Sequence, residues 1–204
     1  LIPLVLFFII KGSFYFNFFI AICFFISAYE WYIMTRKKNY YLIIGLYFLI
    51  FSFYCAYLLR NLNGDIFGLL FLFVLLICIS SDIGGYLIGK ALKGPKLTKI
   101  SPNKTYSGVL GAYVLSIITI YFFIYYCSMN YTKIMDFTFN TIITIILIST
   151  ISQLGDILVS YFKRLSKIKD TGKIIPGHGG LLDRIDGMIF AFPFSYIIFI
   201  TVIF

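Results

Sequence analysis

Repeatedly along its length this chain runs apolar for about the 18 to 20 residues that a helix needs to cross a hydrocarbon core. The runs fall at about 1–10, 14–31, 41–59, 66–88, 106–127, 137–159 and 187–204, with polar connections between them. Unpaired peptide groups are costly in lipid, and the runs lack the alternation of barrel strands, so helices are the spanning structure open to them. The sequence therefore predicts an all-α polytopic integral membrane protein. It has about seven transmembrane helices, the first one partial, and forms a single domain over 1–204. Composition agrees: at 61% hydrophobic and 12% charged, the chain has too little polar surface to cover itself in water. Position 1 is Leu and the first run begins mid-pattern, so a truncated or processed N-terminus is expected. Cys23, Cys55, Cys78 and Cys127 lie inside apolar runs without C-x-x-C spacing and read as small core residues.

The net charge of +9 is unevenly placed. Arg36, Lys37 and Lys38 share one connection. Lys90, Lys93, Lys96, Lys99 and Lys104 share another, and Lys163, Arg164, Lys167, Lys169, Lys173 and Arg184 a third. The intervening connections carry Lys11, Arg60 and Lys133, one apiece. By the positive-inside rule the three rich connections are cytoplasmic. The shortest, 36–38, needs no reading beyond topology and lipid headgroups. The longer two mix glycines, serines and acids among their lysines. Nucleic acid is a poor partner, because the aromatics sit inside apolar runs rather than among exposed Lys and Arg.

Acidic residues are few enough to weigh singly. Asp65, Asp136 and Asp170 lie in connections where solvation explains them, and Glu30 beside Trp31 reads as a membrane-interface pair. Asp82 and Asp156 lie near the inner ends of spans, where each needs a cation, a protonation change or a water-filled cavity. Asp183 and Asp186 stand i, i+3 at the start of the last span, on one helix face with Cβ atoms about 5–6 Å apart. Capping the helix would relieve part of their repulsion, and Mg²⁺, which favours carboxylate and phosphate oxygens, would relieve more.

Two stretches could approach phosphate: "SPNKTYSG" from Ser101, with hydroxyls and a lysine ahead of a span, and "KDTGKIIPGHGG" from Lys169, with two lysines and four glycines. "GGYLIGKA", from Gly84, fits the P-loop glycines but places Ala91 where Ser or Thr must hold the metal. Close helix packing explains its glycines better. His178, the lone histidine, reads as a structural or substrate-contacting residue, since a phosphate nucleophile needs no general base.

The run "SYFKRLSKIKDTGKIIPGHGGLLDRID", from Ser160 to Asp186, resembles the signature of the phosphatidate cytidylyltransferase (CDP-diacylglycerol synthase) family. "SQLGD", ending at Asp156, and the segments "SDIGGYLIGK" and "KLTKISPNKTYSG" resemble its preceding motifs. Tyr106 and Ser107 depart from it, standing where similar proteins commonly have Trp then Glu or Gln. The resemblance implies transfer of CMP from CTP to phosphatidic acid at the cytoplasmic face, in a multi-pass protein of a bacterial inner membrane. It implies Mg²⁺, as a two-metal site whose second ion is open, held by Asp156, Asp183 and Asp186, with Asp82 and Asp170 as further options. Arg184 would act in catalysis. Ser101, Lys104, Thr105, Lys163, Arg164, Lys169, Lys173, His178, Gly179 and Gly180 would contact substrate. The expected partners are CTP, phosphatidic acid and membrane lipids, with a homodimer left open. Two other readings of the same residues are a CTP-dependent lipid kinase, which would release CDP, and an ion-coupled transporter using Asp82 and Asp156.

Overall fold

The computed structural model describes residues 7–8, 13–36, 38–62, 68–98, 101, 104–130, 135–172, 174 and 179–203. The helices are α1 (Ser13–Thr35), α2 (Asn39–Asn61), α3 (Leu69–Leu92), α4 (Tyr106–Asn130), α5 (Phe139–Leu165), the single turn α6 (Leu182–Ile185) and α7 (Met188–Ile203). Of these, α1 to α5 are long and apolar enough to cross a membrane, and α7 is a shorter apolar helix with Pro193 inside it. The chain is an all-α, multi-pass membrane protein, as its hydropathy predicts. Nearly all of the first expected run lies outside the described residues. No strand occurs among them, and the one isolated bridge pairs Lys96 with Thr105 across the α3–α4 connection.

The helices outrun the apolar runs on the basic side: α3 continues to Leu92 and α5 to Leu165. Basic residues in the last turn of each, Lys90 in α3 and Lys163 and Arg164 in α5, complement the helix dipole there. At its other end α5 begins with a capping box, in which the Thr138 hydroxyl accepts from Thr141 N–H and the Thr141 hydroxyl from Thr138 N–H.

Packing follows side-chain size. α3 and α4 make the most extensive contact, and glycines let them do so. A Cβ on Gly108 would stand 2.8 Å from the Gly85 carbonyl oxygen, and one on Gly111 2.7 Å from that of Gly84. The "GGYLIGKA" glycines therefore serve helix contact, as expected. Buried hydroxyls link the same layer: Ser80 donates to Ser116 at 3.2 Å, and Ser81 meets Ser149 on α5 at 2.9 Å. Phe16, Phe73, Ile77, Ile120, Ile148 and Phe199 fill the core. Large apolar side chains such as Phe14, Tyr47, Phe122 and Phe139 point outward, as lipid rather than water requires. None of the four cysteines forms a disulfide among the described residues.

Trp31 departs from the interface reading. It is buried, its indole N–H donates to the Tyr41 carbonyl at 3.2 Å, and its ring packs edge-on to Phe162 at 5.2 Å. Gly45 admits the indole between α1 and α2.

Candidate active site

The basic ends of α1, α3 and α5 lie together, joined by the segment that precedes α7. α5 presents Asp156, Ser160 and Lys163 on one stripe at i, i+4 and i+7 spacing. Lys104, just before α4, pairs with Asp156 at 2.5 Å and donates to the Gln153 carbonyl at 3.1 Å. Ser160 donates to the other Asp156 oxygen at 3.3 Å. Asp186 approaches Asp156 within hydrogen-bonding range, and Asp82 on α3 feels Asp156, Lys104 and Arg184. Lys163, itself buried, donates to Asp183 at 2.9 Å and lies 4.0 Å from Asp186.

Two aspartates three residues apart thus have opposite surroundings. Burial alone would raise the Asp183 carboxyl, yet Lys163 and the backbone N–H groups of Gly180 and Thr171 hold it below the usual carboxylate range. Its Oδ1 takes Lys163, while its Oδ2 accepts from Thr171 N–H at 2.8 Å and Gly180 N–H at 3.0 Å. Asp186 goes the other way. Burial and then the Asp156 carboxylate hold it well above that range, with Lys163 offsetting only part.

Glu30 organises the opposite flank. It is 1% exposed and accepts from the Thr171 hydroxyl at 2.9 Å, Leu181 N–H at 2.9 Å and Leu182 N–H at 2.8 Å. A Cβ on Gly172 would stand 2.6 Å from a Glu30 oxygen, and one on Gly180 2.5 Å from the other. These two glycines let backbone close around a carboxylate.

Two cavities open on the cluster and share Asp82 in their walls. One, about 290 Å³, is polar and lined by Ser101, Lys104, Thr105, Gln153 and Asp156. The other, about 390 Å³, is lined largely by apolar side chains from α1, α2, α3 and α7, with Asp82 and Arg184 among its few charged groups. An acid-and-cation cluster between a polar and an apolar chamber suits the joining of a polyanion to a lipid.

A family model described as the cytidylyltransferase family matches residues 41–202. The chain belongs to the cytidylyltransferase family. It is 38% identical over 144 residues to the phosphatidate cytidylyltransferase of Bacillus subtilis (strain 168), covering 69% of this chain and 51% of the relative. It is 39% identical over 173 residues to that of Rickettsia bellii (strain RML369-C), covering 83% and 73%. It is 38% identical over 132 residues to that of Haemophilus influenzae, covering 64% and 46%. The chain therefore spans about half the length of two of these curated relatives.

For this family member, the structure brings together Asp82, Lys104, Asp156, Lys163, Asp183, Arg184 and Asp186, with Ser101 and Thr105 on the polar wall. The Thr105 hydroxyl also accepts from Gly108 N–H at 3.1 Å, starting α4, and Ser107 accepts from Gly94 N–H at 3.3 Å across the connection. Arg164 is exposed and donates to the Ile168 carbonyl, and Lys169 and Asp170 are exposed, Asp170 beside Gly179. Lys173 and His178 lie outside the described residues. Gly180 differs from its expected role as a phosphate donor, because its N–H is given to Asp183. Glu30 is the organising residue that sequence reasoning missed: no local pattern joins it to a loop 141 residues on.

The donor set suits a hard cation in part. Among the described residues no three carboxylates converge as ligands. Asp156, half-buried, and Asp186, buried, do approach one another, as oxygen ligands for Mg²⁺ would. Asp183, the third expected ligand, has both oxygens engaged by Lys163, Thr171 and Gly180 and acts here as a loop anchor.

Proposed function

We propose that this chain carries the transfer of CMP from CTP to phosphatidic acid, giving CDP-diacylglycerol and pyrophosphate for phospholipid synthesis. The active site would face the cytoplasm of a bacterial inner membrane. The observation that carries the reading is the pair of chambers meeting at the Asp82, Asp156 and Asp186 cluster. The names of the relatives supply the substrate pair.

The phosphate of phosphatidic acid is the nucleophile and is already ionised near neutral pH, so no side chain has to take its proton. Its oxygen bonds to the α-phosphorus of CTP, the bond from that phosphorus to the bridging oxygen breaks, and pyrophosphate leaves with the electron pair. Asp156 and Asp186 would hold Mg²⁺, which in such a site neutralises phosphate oxygens and supports the leaving group. Arg184, at the mouth of the apolar chamber, is placed to grip the lipid phosphate, and its planar fork suits two oxygens at once. Lys104 and the hydroxyls of Ser101 and Thr105 line the polar chamber, where the triphosphate would lie. Lys163 spans the two aspartates of the loop and keeps them in register. Ser52, buried and without a hydrogen-bond partner among the described residues, leaves a hydroxyl in the wall of the apolar chamber for an ester or glycerol oxygen.

The test is to incubate the purified chain with CTP, phosphatidic acid and Mg²⁺ and to assay products. CDP-diacylglycerol with stoichiometric pyrophosphate supports the transferase reading. Release of CDP with phosphorylated lipid would replace it with a kinase, and absence of any nucleotide-dependent product would remove it.

A further inference from the structure

We infer that the basic end of the bundle carries a second, separate site, which binds the phosphate headgroup of an anionic phospholipid. A cavity of about 430 Å³ opens where the end of α1, the start of α2 and the end of α5 meet. Among the described residues it shares no lining residue with either chamber of the acid cluster. Among the described residues, Arg36, Lys38 and Lys167 contribute three cations and no acidic residue lines it. Phe162, Leu165 and Ile168 make part of an apolar floor. Cations over an apolar floor, at the level where membrane helices end, match a phospholipid: the phosphate meets the charge and the glycerol and upper acyl carbons meet the floor.

The cavity is built rather than a loose gathering of surface lysines. The Ser166 hydroxyl donates to the Met34 carbonyl at 2.7 Å and ties α5 to α1 along its wall. Lys38 is held over the Tyr41 ring at 5.4 Å. Lys167 takes φ +56° just past the end of α5. Glycine fits that left-handed position at lower cost, so a lysine there keeps a charge on the rim at the expense of strain. A lipid in this cavity would brace the junction between α1, which carries Glu30, and α5, which carries Lys163. The inference does not rest on the transferase reading, and its test needs no nucleotide.

Trp31, the only tryptophan, reports on the cavity because its ring packs on Phe162 in the cavity floor. The chain is reconstituted in phosphatidylcholine vesicles containing a rising fraction of either brominated phosphatidylglycerol or brominated phosphatidylcholine, whose bromines quench indole at contact range. Half-quenching should come at a several-fold lower mole fraction with the anionic lipid, given roughly fivefold for each basic group that engages it. The combined variant Arg36→Gln, Lys38→Gln, Lys167→Gln should lose that preference. It should keep the phosphatidylcholine response, which shows that the fold persists. Equal quenching by the two lipids, or a preference that survives in the variant, overturns the inference. Millimolar inorganic phosphate is the second arm. It should leave the preference intact, and if it abolishes it the cavity takes free phosphate and the lipid assignment is wrong.

Discussion

Glu30 and Asp186 are both carboxyl groups buried at the same end of the bundle, 1% and 9% exposed, and their surroundings could hardly differ more. Glu30 accepts from a hydroxyl and two backbone N–H groups, all neutral donors that cannot move away. Asp186 faces Asp156 and Asp82, accepts one backbone N–H, from Gly187 at 2.9 Å, and has Lys163 at 4.0 Å. One site is satisfied as it stands. The other crowds carboxyl groups, and that crowding inclines Asp186 to keep its proton. Burial of a charge is tolerable when its lone pairs have donors, and crowded carboxyl groups are relieved by a proton on one of them or by a cation from outside the chain. The contrast separates a residue that shapes the site from residues that would meet a cation and substrate.

The strongest way to break the comparison is Asp186→Asn. If Asp186 belongs to the reacting set, the change should lower CDP-diacylglycerol formation by on the order of a thousandfold, about 4 kcal/mol in the barrier. Replacing a crowded carboxyl group by a neutral amide should leave the thermal midpoint in detergent unchanged or raised. A variant whose midpoint falls while its activity well below that midpoint stays near normal would make Asp186 structural and erase the distinction from Glu30.

Lys163→Met tests the group that joins the two behaviours. Lys163 is buried and pairs with Asp183 while standing near Asp186, so its loss strands one carboxylate and worsens the crowding of the other. Breaking a buried pair from one side costs about 3–5 kcal/mol. The thermal midpoint should fall sharply, and Asp183→Asn in the same chain should restore part of it. An unchanged midpoint in the single variant would show that water reaches Asp183 freely.

Glu30→Gln should act by stability first. The amide keeps one acceptor oxygen, so in either orientation a backbone N–H of Leu181 or Leu182 loses its partner and meets an NH₂ instead. One buried unsatisfied donor costs about 1–3 kcal/mol. The midpoint should drop accordingly, and activity measured well below it should fall far less than in Asp186→Asn. Loss of activity as deep as that of Asp186→Asn, at full stability, would move Glu30 into the reacting set.

What could be read from the sequence follows the range of each interaction. The spans were legible because lipid enforces a run of about 20 apolar residues regardless of neighbours. The acid cluster was legible through the resemblance of the motifs around Asp156, Asp183 and Asp186. Helix ends were not: α5 runs to Leu165 because a hydropathy pattern marks where lipid stops, while the helix continues into water with Lys163 on its inner face. Glu30 was also illegible, since beside Trp31 it has the composition of an interface pair and its partners lie at Thr171, Leu181 and Leu182. Gly180 misled for a related reason: a glycine beside phosphate and one beside a carboxylate look alike in sequence, and only the burial of Glu30 against it tells them apart.

Ser52→Ala gives the smallest effect and the finest discrimination. Its hydroxyl is buried in the wall of the apolar chamber, with no hydrogen-bond partner among the described residues, so it resembles the acid cluster in being incomplete and Glu30 in being uncharged. Removing a hydroxyl that bonds nothing in the protein should leave stability within about 0.5 kcal/mol or raise it slightly. If the hydroxyl meets the lipid, KM for phosphatidic acid should rise about fivefold, the worth of one neutral hydrogen bond, with kcat and the KM for CTP unchanged. A fall in stability with KM unchanged would mean that the hydroxyl is already satisfied within the fold. An unexplained buried group would then mark a missing partner inside the protein, and incompleteness would point to a ligand only where, as at Asp156 and Asp186, charge makes it expensive.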